Sequence, residues 1–371
     1  MNQKKIFIAS VLKAVDDVRN YDKLADSLAK ANKYEIFILG KGRDKKSGNN
    51  KIYFRTTGHF QRLSFRRLLI QFIFFLEVIR IKPDVLLITT IELLPIATFC
   101  KVLLRCRLVF DVQENHYSNF KNQPEYHKVS GAILSLTVLA FEKMFYPFVD
   151  HFILAESIYK SETHGLKDRF SILENKAIVD VQKGRNSSWE YGYHLNIIFT
   201  GTLSEYSGIE TSIQLFEKIN QKYPNSTFTI VGVYHQARIK KLLNEACRTS
   251  RSIKLFIDSN PVEHHKIEDQ ILKADLGIIG YTPNPTNQNR TPTKLFEYAS
   301  YGLPYLIYDH PHWKTITEKI GGGIVMDFVD LDVEGLLKAL DNIKKWDREK
   351  GQWREETQTL IDLFETLLQD S

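Results

Sequence analysis

Short apolar runs rich in β-branched residues alternate with longer amphipathic stretches along this chain. The alternation breaks once, near the middle. In the first half, residues 6–10, 35–39, 84–89, 107–111 and 150–155 read as strands, and helical spacing fills 18–31, 60–81 and 131–148. Strands separated by helices pair parallel, with the helices as crossovers covering the sheet. The stretch over 180–194, DVQKGRNSSWEYGYH, is rich in Gly, Ser, Asn and charge and carries neither period, so it reads as a boundary. Beyond it the pattern restarts, with strands at 195–200, 227–231, 254–257, 273–279, 305–308 and 324–326 and helices at 238–248 and 333–342. Two α/β domains follow, over 1–180 and 190–350, each built on a parallel sheet with crossover helices, with an amphipathic helix over 352–371.

Length agrees, since 371 residues exceed what one ordinary core encloses. A composition of 43% hydrophobic and 25% charged residues is that of a globular protein. The formal charge of +6 tolerates anionic partners but is too modest to indicate a nucleic-acid binder. Cys100, Cys106 and Cys247 have no metal-ligand spacing and are expected as reduced thiols, consistent with a cytoplasmic protein. No secretory signal precedes the first strand, and no uninterrupted apolar span reads as a transmembrane helix. His264 and His265 diverge on a helix and suggest no third ligand, so no metal is expected. The loop expected over 11–19 lacks the close glycines of a dinucleotide fingerprint, which leaves no nicotinamide cofactor indicated.

Residues 290–308, RTPTKLFEYASYGLPYLIY, concentrate the chemistry. Pro292 and Thr293 open a helix, Leu295, Tyr298 and Ala299 form its buried stripe, Gly302 caps it, and a strand follows. Lys294 falls in the first turn and Glu297 off the stripe, which places a cation and a carboxylate beside the positive end of a helix dipole. That pairing suits a ligand with both phosphate and sugar hydroxyls. Spacing alone equally allows an ordinary amphipathic helix with solvated charges.

PTKLFEYASYGLP, residues 292–304, resembles the P-x-K-L-F-E-Y-x-x-x-G-x-P signature of glycosyltransferase family 4-like enzymes of the GT-B type. The resemblance implies two Rossmann-like domains facing across a cleft, with the nucleotide-sugar donor on the second and the acceptor on the first. It implies that Glu297 contacts the nucleotide ribose and that the segment, Leu295 included, lines the donor pocket. It also implies a last helix crossing back to the first domain and a metal-independent, retaining transfer.

FTGTLSEYSGIE (199–210) is similar to the family's F-x-G-x-L-x-x-x-K-G segment, with Gly201 and Gly208 matching. Thr202 and Ser207 stand where many relatives have the Arg and Lys that bind the donor diphosphate. Arg290 and Lys294 are the cations left for that task. Gly232, after the strand TFTIV, matches a glycine close to the nucleotide, and Asn289 stands where the family often has a first glutamate. FDVQENHYSNF (110–120) resembles a strand-end Y-D-x-H-E segment: Asp111 and Glu114 match, but Gln113 replaces the histidine. Glutamine cannot take a proton near neutral pH. Glu114 is the candidate for a catalytic polar contact, with a solvated loop carboxylate as the alternative.

The segment 60–81 combines arginines with a broad aromatic and aliphatic face. It serves as a crossover helix, as a peripheral contact with the inner face of a membrane, or as both. The activity implied is sugar transfer from a nucleotide-sugar donor to a hydroxyl on a glycan or lipid-linked acceptor, as in polysaccharide or glycolipid synthesis. A catalytically weakened nucleotide-sugar-binding subunit and a nucleotide-sugar isomerase are the alternatives.

Overall fold

The computed structural model describes residues 3–42, 50–58, 60, 66–122, 128–180, 194–260, 262–285 and 287–369. The chain divides into two compact units, Met1–Asn175 together with Glu356–Ser371, and Lys176–Glu355. The boundary stretch read at 180–194 lies outside the described residues except for its two ends, as do residues 61–65 of the 60–81 segment.

The first unit holds strands β1 (Lys4–Ala14), β2 (Tyr34–Lys41), β3 (Ile52–Thr56), β4 (Val85–Ile88), β5 (Arg107–Val112), β6 (His151–Leu154) and β7 (Phe170–Ile172). They form one sheet in the order β3-β2-β1-β4-β5-β6-β7, with every pairing parallel. Strands β1, β4 and β6 are almost wholly buried along their middles, as expected of a sheet covered on both faces. Helices Arg66–Ile81, Leu94–Leu104 and Lys128–Phe145 each lead into the next strand of the run β4-β5-β6, so right-handed crossovers place all three on one face. Ile70, Phe74 and Val78 of the first of them enter the core, where Phe74 stacks on Phe7 of β1 at 5.8 Å. Helix Arg354–Gln369 buries Leu360 and Phe364, and its Glu365 pairs with Lys33 of the first unit.

The expected loop over 11–19 is a correction. Strand β1 runs on to Ala14 past an irregularity in its register with β2, and a π-helix, Val18–Ala25, follows directly. Asp17 starts that helix by accepting hydrogen bonds from the backbone N–H groups of Arg19 and Asn20, at 3.2 and 3.1 Å. The reading of no apolar span also needs amendment: Ser130–Phe148 is long and apolar enough to cross a membrane, with a mean hydropathy of 1.2 and only 22% of the window buried. As the crossover between β5 and β6 it packs against helices His116–Asn122 and Leu94–Leu104, with Ser135, Val138 and Glu142 buried.

The second unit holds β8 (Asn196–Leu203), β9 (Thr227–Tyr234), β10 (Ile253–Asp258), β11 (Leu276–Ile279), β12 (Tyr305–Tyr308) and β13 (Gly323–Met326). Their order is β10-β9-β8-β11-β12-β13, again all parallel. The chain winds outward from β8 through β9 to β10, then returns to β11 on the other side, which makes the carboxyl ends of β8 and β11 the topological switch point.

Candidate functional site

Two pairs of glycines bring backbone into contact at that switch point. A Cβ on Gly232, at the end of β9, would lie 1.8 Å from the Gly201 carbonyl oxygen of β8. One on Gly208 would lie 1.8 Å from the Gly280 oxygen, just past β11. Only hydrogen fits at either place. Gly201 and Gly208 also take positive φ, 122° and 73°, where a side chain is strained. The turn after β8 is thereby held against the loop after β11, and helix Ile209–Lys222 starts directly from it.

Lys294 lies across this surface, its Cε 3.1 Å from the place a Gly201 Cβ would take. Its Nζ pairs with the Glu297 carboxylate one turn along helix Thr293–Tyr301. The two side chains are 24% and 13% exposed, so the pair is accessible without being fully solvated. The opposite side of that helix is rigid: Leu295, Tyr298 and Ala299 are wholly buried, and the Tyr298 hydroxyl accepts a hydrogen bond from the Thr200 N–H at 3.1 Å. Gly302 ends the helix in a left-handed conformation, φ 74°. In its first turn the Leu295 N–H already donates to the Pro292 carbonyl at 3.0 Å, while those of Thr293 and Lys294 precede the first intrahelical acceptor.

Thr202 is exposed at the end of β8. Ser207 is used by the turn itself, its hydroxyl donating to the Ser204 carbonyl at 2.8 Å and accepting from the Ser204 N–H at 3.0 Å. Arg290 is fixed through its backbone, whose carbonyl accepts from the buried Trp313 indole at 2.8 Å and whose N–H donates to Asn287. Asn289 is exposed in the preceding turn. Lys294, Glu297, Gly201 and Gly232 are therefore gathered at one place, while Leu295 is on the core side of the same helix.

Glu114 belongs to the first unit. It is 58% exposed, accepts from the Asn119 side chain at 2.8 Å, and lies 3.7 Å from His116 Nδ1. Burial lowers the His116 pKa, with Glu114 opposing, so His116 is neutral at pH 7. Beside it is a polar core that the sequence did not disclose. Asp111, fully buried, accepts from Arg19 Nε and Nη2 at 2.8 and 2.7 Å and from Gln113 Nε2 at 2.6 Å. The Gln113 amide oxygen takes Lys13 Nζ, and its backbone oxygen takes the Tyr159 hydroxyl at 2.9 Å. Gln113 is thus locked by donors and acceptors on all sides. Arg19 and Lys23 are four apart on one helical face, which was the available signal; their partners lie 92 and 152 residues away.

Burial, reinforced by Arg19, lowers the Lys23 pKa from 10.5 to about 7. Between those values the unfolded chain binds a proton that the folded one excludes, so stability rises with pH across the window and the cost of burial is largest below it. Lys23→Met is expected to melt higher than wild type at pH 6, with the gap closing as pH approaches 10. Thermal melts of both proteins across that range check this, and a gap independent of pH would contradict it.

Among the described residues, no three His, Cys, Asp or Glu side chains gather as a metal site. Cys100 and Cys106 are buried, which pushes their thiol pKa values up to about 11 and about 12 and leaves them protonated and inert.

A scan against protein-family models and a search of curated proteins return no match. Solved structures do match along the whole chain. Sucrose-phosphate synthase from Thermosynechococcus elongatus is 12% identical with a TM-score of 0.65, covering 99% of this chain and 97% of its own. The catalytic domain of starch synthase IV from Arabidopsis thaliana, bound to ADP and acarbose, is 13% identical with a TM-score of 0.59, covering 100% and 99%. Anabaena HepE in complex with UDP and glucose is 12% identical with a TM-score of 0.60, covering 99% and 98%. The fold is that of GT-B glycosyltransferases, with seven and six all-parallel strands in its two units.

Proposed function

We propose that this protein is a glycosyltransferase that moves a sugar from a nucleoside-diphosphate donor to a hydroxyl on a glycan or lipid-linked acceptor. The observation that supports it most is the Lys294–Glu297 pair, seated over Gly201 at the switch point of the second sheet, in a fold shared with structures that hold ADP or UDP. Ligands of open parallel sheets bind at this position. Glu297 accepts hydrogen bonds from the ribose hydroxyls, and Lys294 then turns to the diphosphate. Gly201, Gly232 and Thr202 bound the nucleotide, Leu295 supports the pocket from beneath, and Asn289 offers an amide to the sugar.

As the anomeric C–O bond breaks, its electron pair stays on the diphosphate oxygen. Lys294, the Arg290 guanidinium and the N–H groups of Thr293 and Lys294 at the start of helix Thr293–Tyr301 stabilise that charge. The reaction is metal-independent and retaining, and Glu114 makes a polar contact with the acceptor. The chain works at the cytoplasmic face of a membrane, with residues 60–81 as a peripheral contact. The donor lies on the second domain, 190–350, and the acceptor faces the first.

A second reading is a nucleotide-sugar-binding subunit with little turnover. It is favoured by Ser207, whose hydroxyl is consumed by the turn where a cation would offset the leaving group. Incubation with a panel of nucleotide sugars and glycan or lipid acceptors, with products followed by mass spectrometry, separates the readings. Transfer yields a glycosylated acceptor plus nucleoside diphosphate; a binding subunit yields neither; an isomerase yields altered donor without acceptor.

A further inference from the structure

Strand β1 outlasts its neighbour β4. Their pairing ends at Ala9, and residues 11–14 run on beyond it to a last pairing of Ala14 with Lys41. This tail is tied down on both sides. The Val11 N–H donates to the Thr90 hydroxyl at 3.3 Å, and the Lys13 N–H donates to the Ser10 hydroxyl at 3.2 Å. From the side of β2, a Cβ on Gly40 would lie 2.8 Å from the Lys13 carbonyl oxygen, so only hydrogen fits there. The backbone at Lys13 is therefore fixed.

Its place is the switch point of the first sheet, where the chain has wound from β1 through β2 to β3 and returns to β4 on the other side. The Lys13 side chain reaches over the carboxyl end of β4, which lies between β1 and β5, to the Gln113 amide oxygen. That amide cannot flip, since its Nε2 donates to the Asp111 carboxylate and a flipped amide would set oxygen against oxygen. Among the described residues Gln113 is the one hydrogen-bond acceptor of the Lys13 ammonium, which carries more donors than one acceptor uses. Asp17 pairs with it at 3.6 Å, too far for a hydrogen bond, and the same Asp17 oxygen already accepts the Arg19 and Asn20 N–H groups. The Lys13 side chain is 34% exposed. A positioned cation with donors to spare thus stands where an open parallel sheet takes its ligand.

We infer that Lys13 binds an acidic group, a carboxylate or a phosphate, carried by the acceptor. This rests on the function proposed above, in which the acceptor faces the first domain, and adds the chemical class of that acceptor. A purely structural role explains less. Gln113 is already held by Asp111 through its side chain and by Tyr159 through its backbone, so it does not need a further, accessible partner. A lysine whose backbone and amide partner are both fixed gives up little freedom when an anion arrives, which favours binding over that of a mobile surface lysine. Glu114, turned to His116 and Asn119 beyond β5, is left for the neutral hydroxyls of the same acceptor.

The test is a ligand-observed NMR titration of the full chain with methyl glucoside, glucuronic acid and glucose 6-phosphate. At low salt at least one of the two acidic sugars is expected to bind about tenfold or more tightly than methyl glucoside, the range for one charge-assisted hydrogen bond, and the advantage should shrink with salt. Which acid binds better tells a carboxylate from a phosphate. Lys13→Met should abolish the preference and leave methyl glucoside as in wild type, while Lys13→Arg should keep most of it. Lys294→Ala, in the second unit, should not alter it. Equal binding of the three sugars, binding of none, a preference that survives Lys13→Met, or one that is lost in Lys294→Ala would overturn the inference. UDP titrated into the same preparations keeps the two readings apart. A wild type that binds UDP without preferring acidic sugars counts against Lys13 alone. One that prefers them through Lys13 without binding UDP counts against the proposed transfer and not against the anion site.

Discussion

Exchanging Arg19 for methionine is expected to lower the unfolding free energy by about 3–5 kcal/mol, the cost of breaking a buried ion pair from one side. The pair is enclosed, with Arg19 at 4% and Asp111 at 0% exposure. Two of the three donors on the Asp111 carboxylate belong to Arg19 and the third to Gln113, so the variant leaves a buried anion with one neutral donor. Arg19 also donates to the Leu173 carbonyl at 3.1 Å, which ties the π-helix to the segment after β7. Removing both charges in Arg19→Met with Asp111→Leu should restore much of the loss, since the desolvation cost then disappears with the attraction. Urea unfolding followed by circular dichroism measures both. All four tryptophans lie beyond residue 176, so unchanged emission before the transition shows that the second unit is intact. Simple additivity of the two substitutions would contradict the ion-pair account.

That prediction turns on something the sequence hides. Periodicity made the parallel sheets readable, because β4, β5, β8 and β12 are buried apolar runs bounded by turn residues or helices, and a strand of that kind has few other structures open to it. The turn and cap at Gly208 and Gly302 were legible for a related reason, since left-handed backbone selects glycine. Strand β3 was not read, because at the sheet edge IYFRT mixes exposed and half-buried positions and shows no clean alternation. Helix Leu94–Leu104 escaped because it is apolar nearly all round, so its period carries little contrast. The site divides along the same line. Lys294 and Glu297 are neighbours on one helix, and spacing places them together. Arg19, Asp111 and Gln113 meet only through the order of strands, which spacing does not encode. The role of Ser207 was equally out of reach, since a hydroxyl available to a ligand and one spent on its own turn read alike in sequence.

Replacing Glu297 or Lys294 with alanine is expected to weaken nucleoside-diphosphate binding about ten- to hundredfold each, the range for removing a charge-assisted hydrogen bond. The two losses should differ in kind. Glu297 addresses ribose hydroxyls, so Glu297→Ala should weaken uridine or adenosine as well as UDP or ADP. Lys294 addresses phosphate, so Lys294→Ala should spare the nucleosides and affect only the diphosphates, more strongly at low salt than at high. Because the two side chains pair with each other, each single variant also leaves its neighbour without that partner, and the double variant should lose less than the sum. Neither change touches the buried side of helix Thr293–Tyr301, where Tyr298 is bonded to Thr200, so melting without nucleotide should stay near wild type. Calorimetric titration of the four ligands into wild type and the three variants reads out the pattern. Variants that fold and bind every ligand as wild type does would remove the nucleotide from this end of the second sheet. A uniform loss across nucleosides and diphosphates in both single variants would keep the nucleotide there but deny the division of labour between ribose and phosphate.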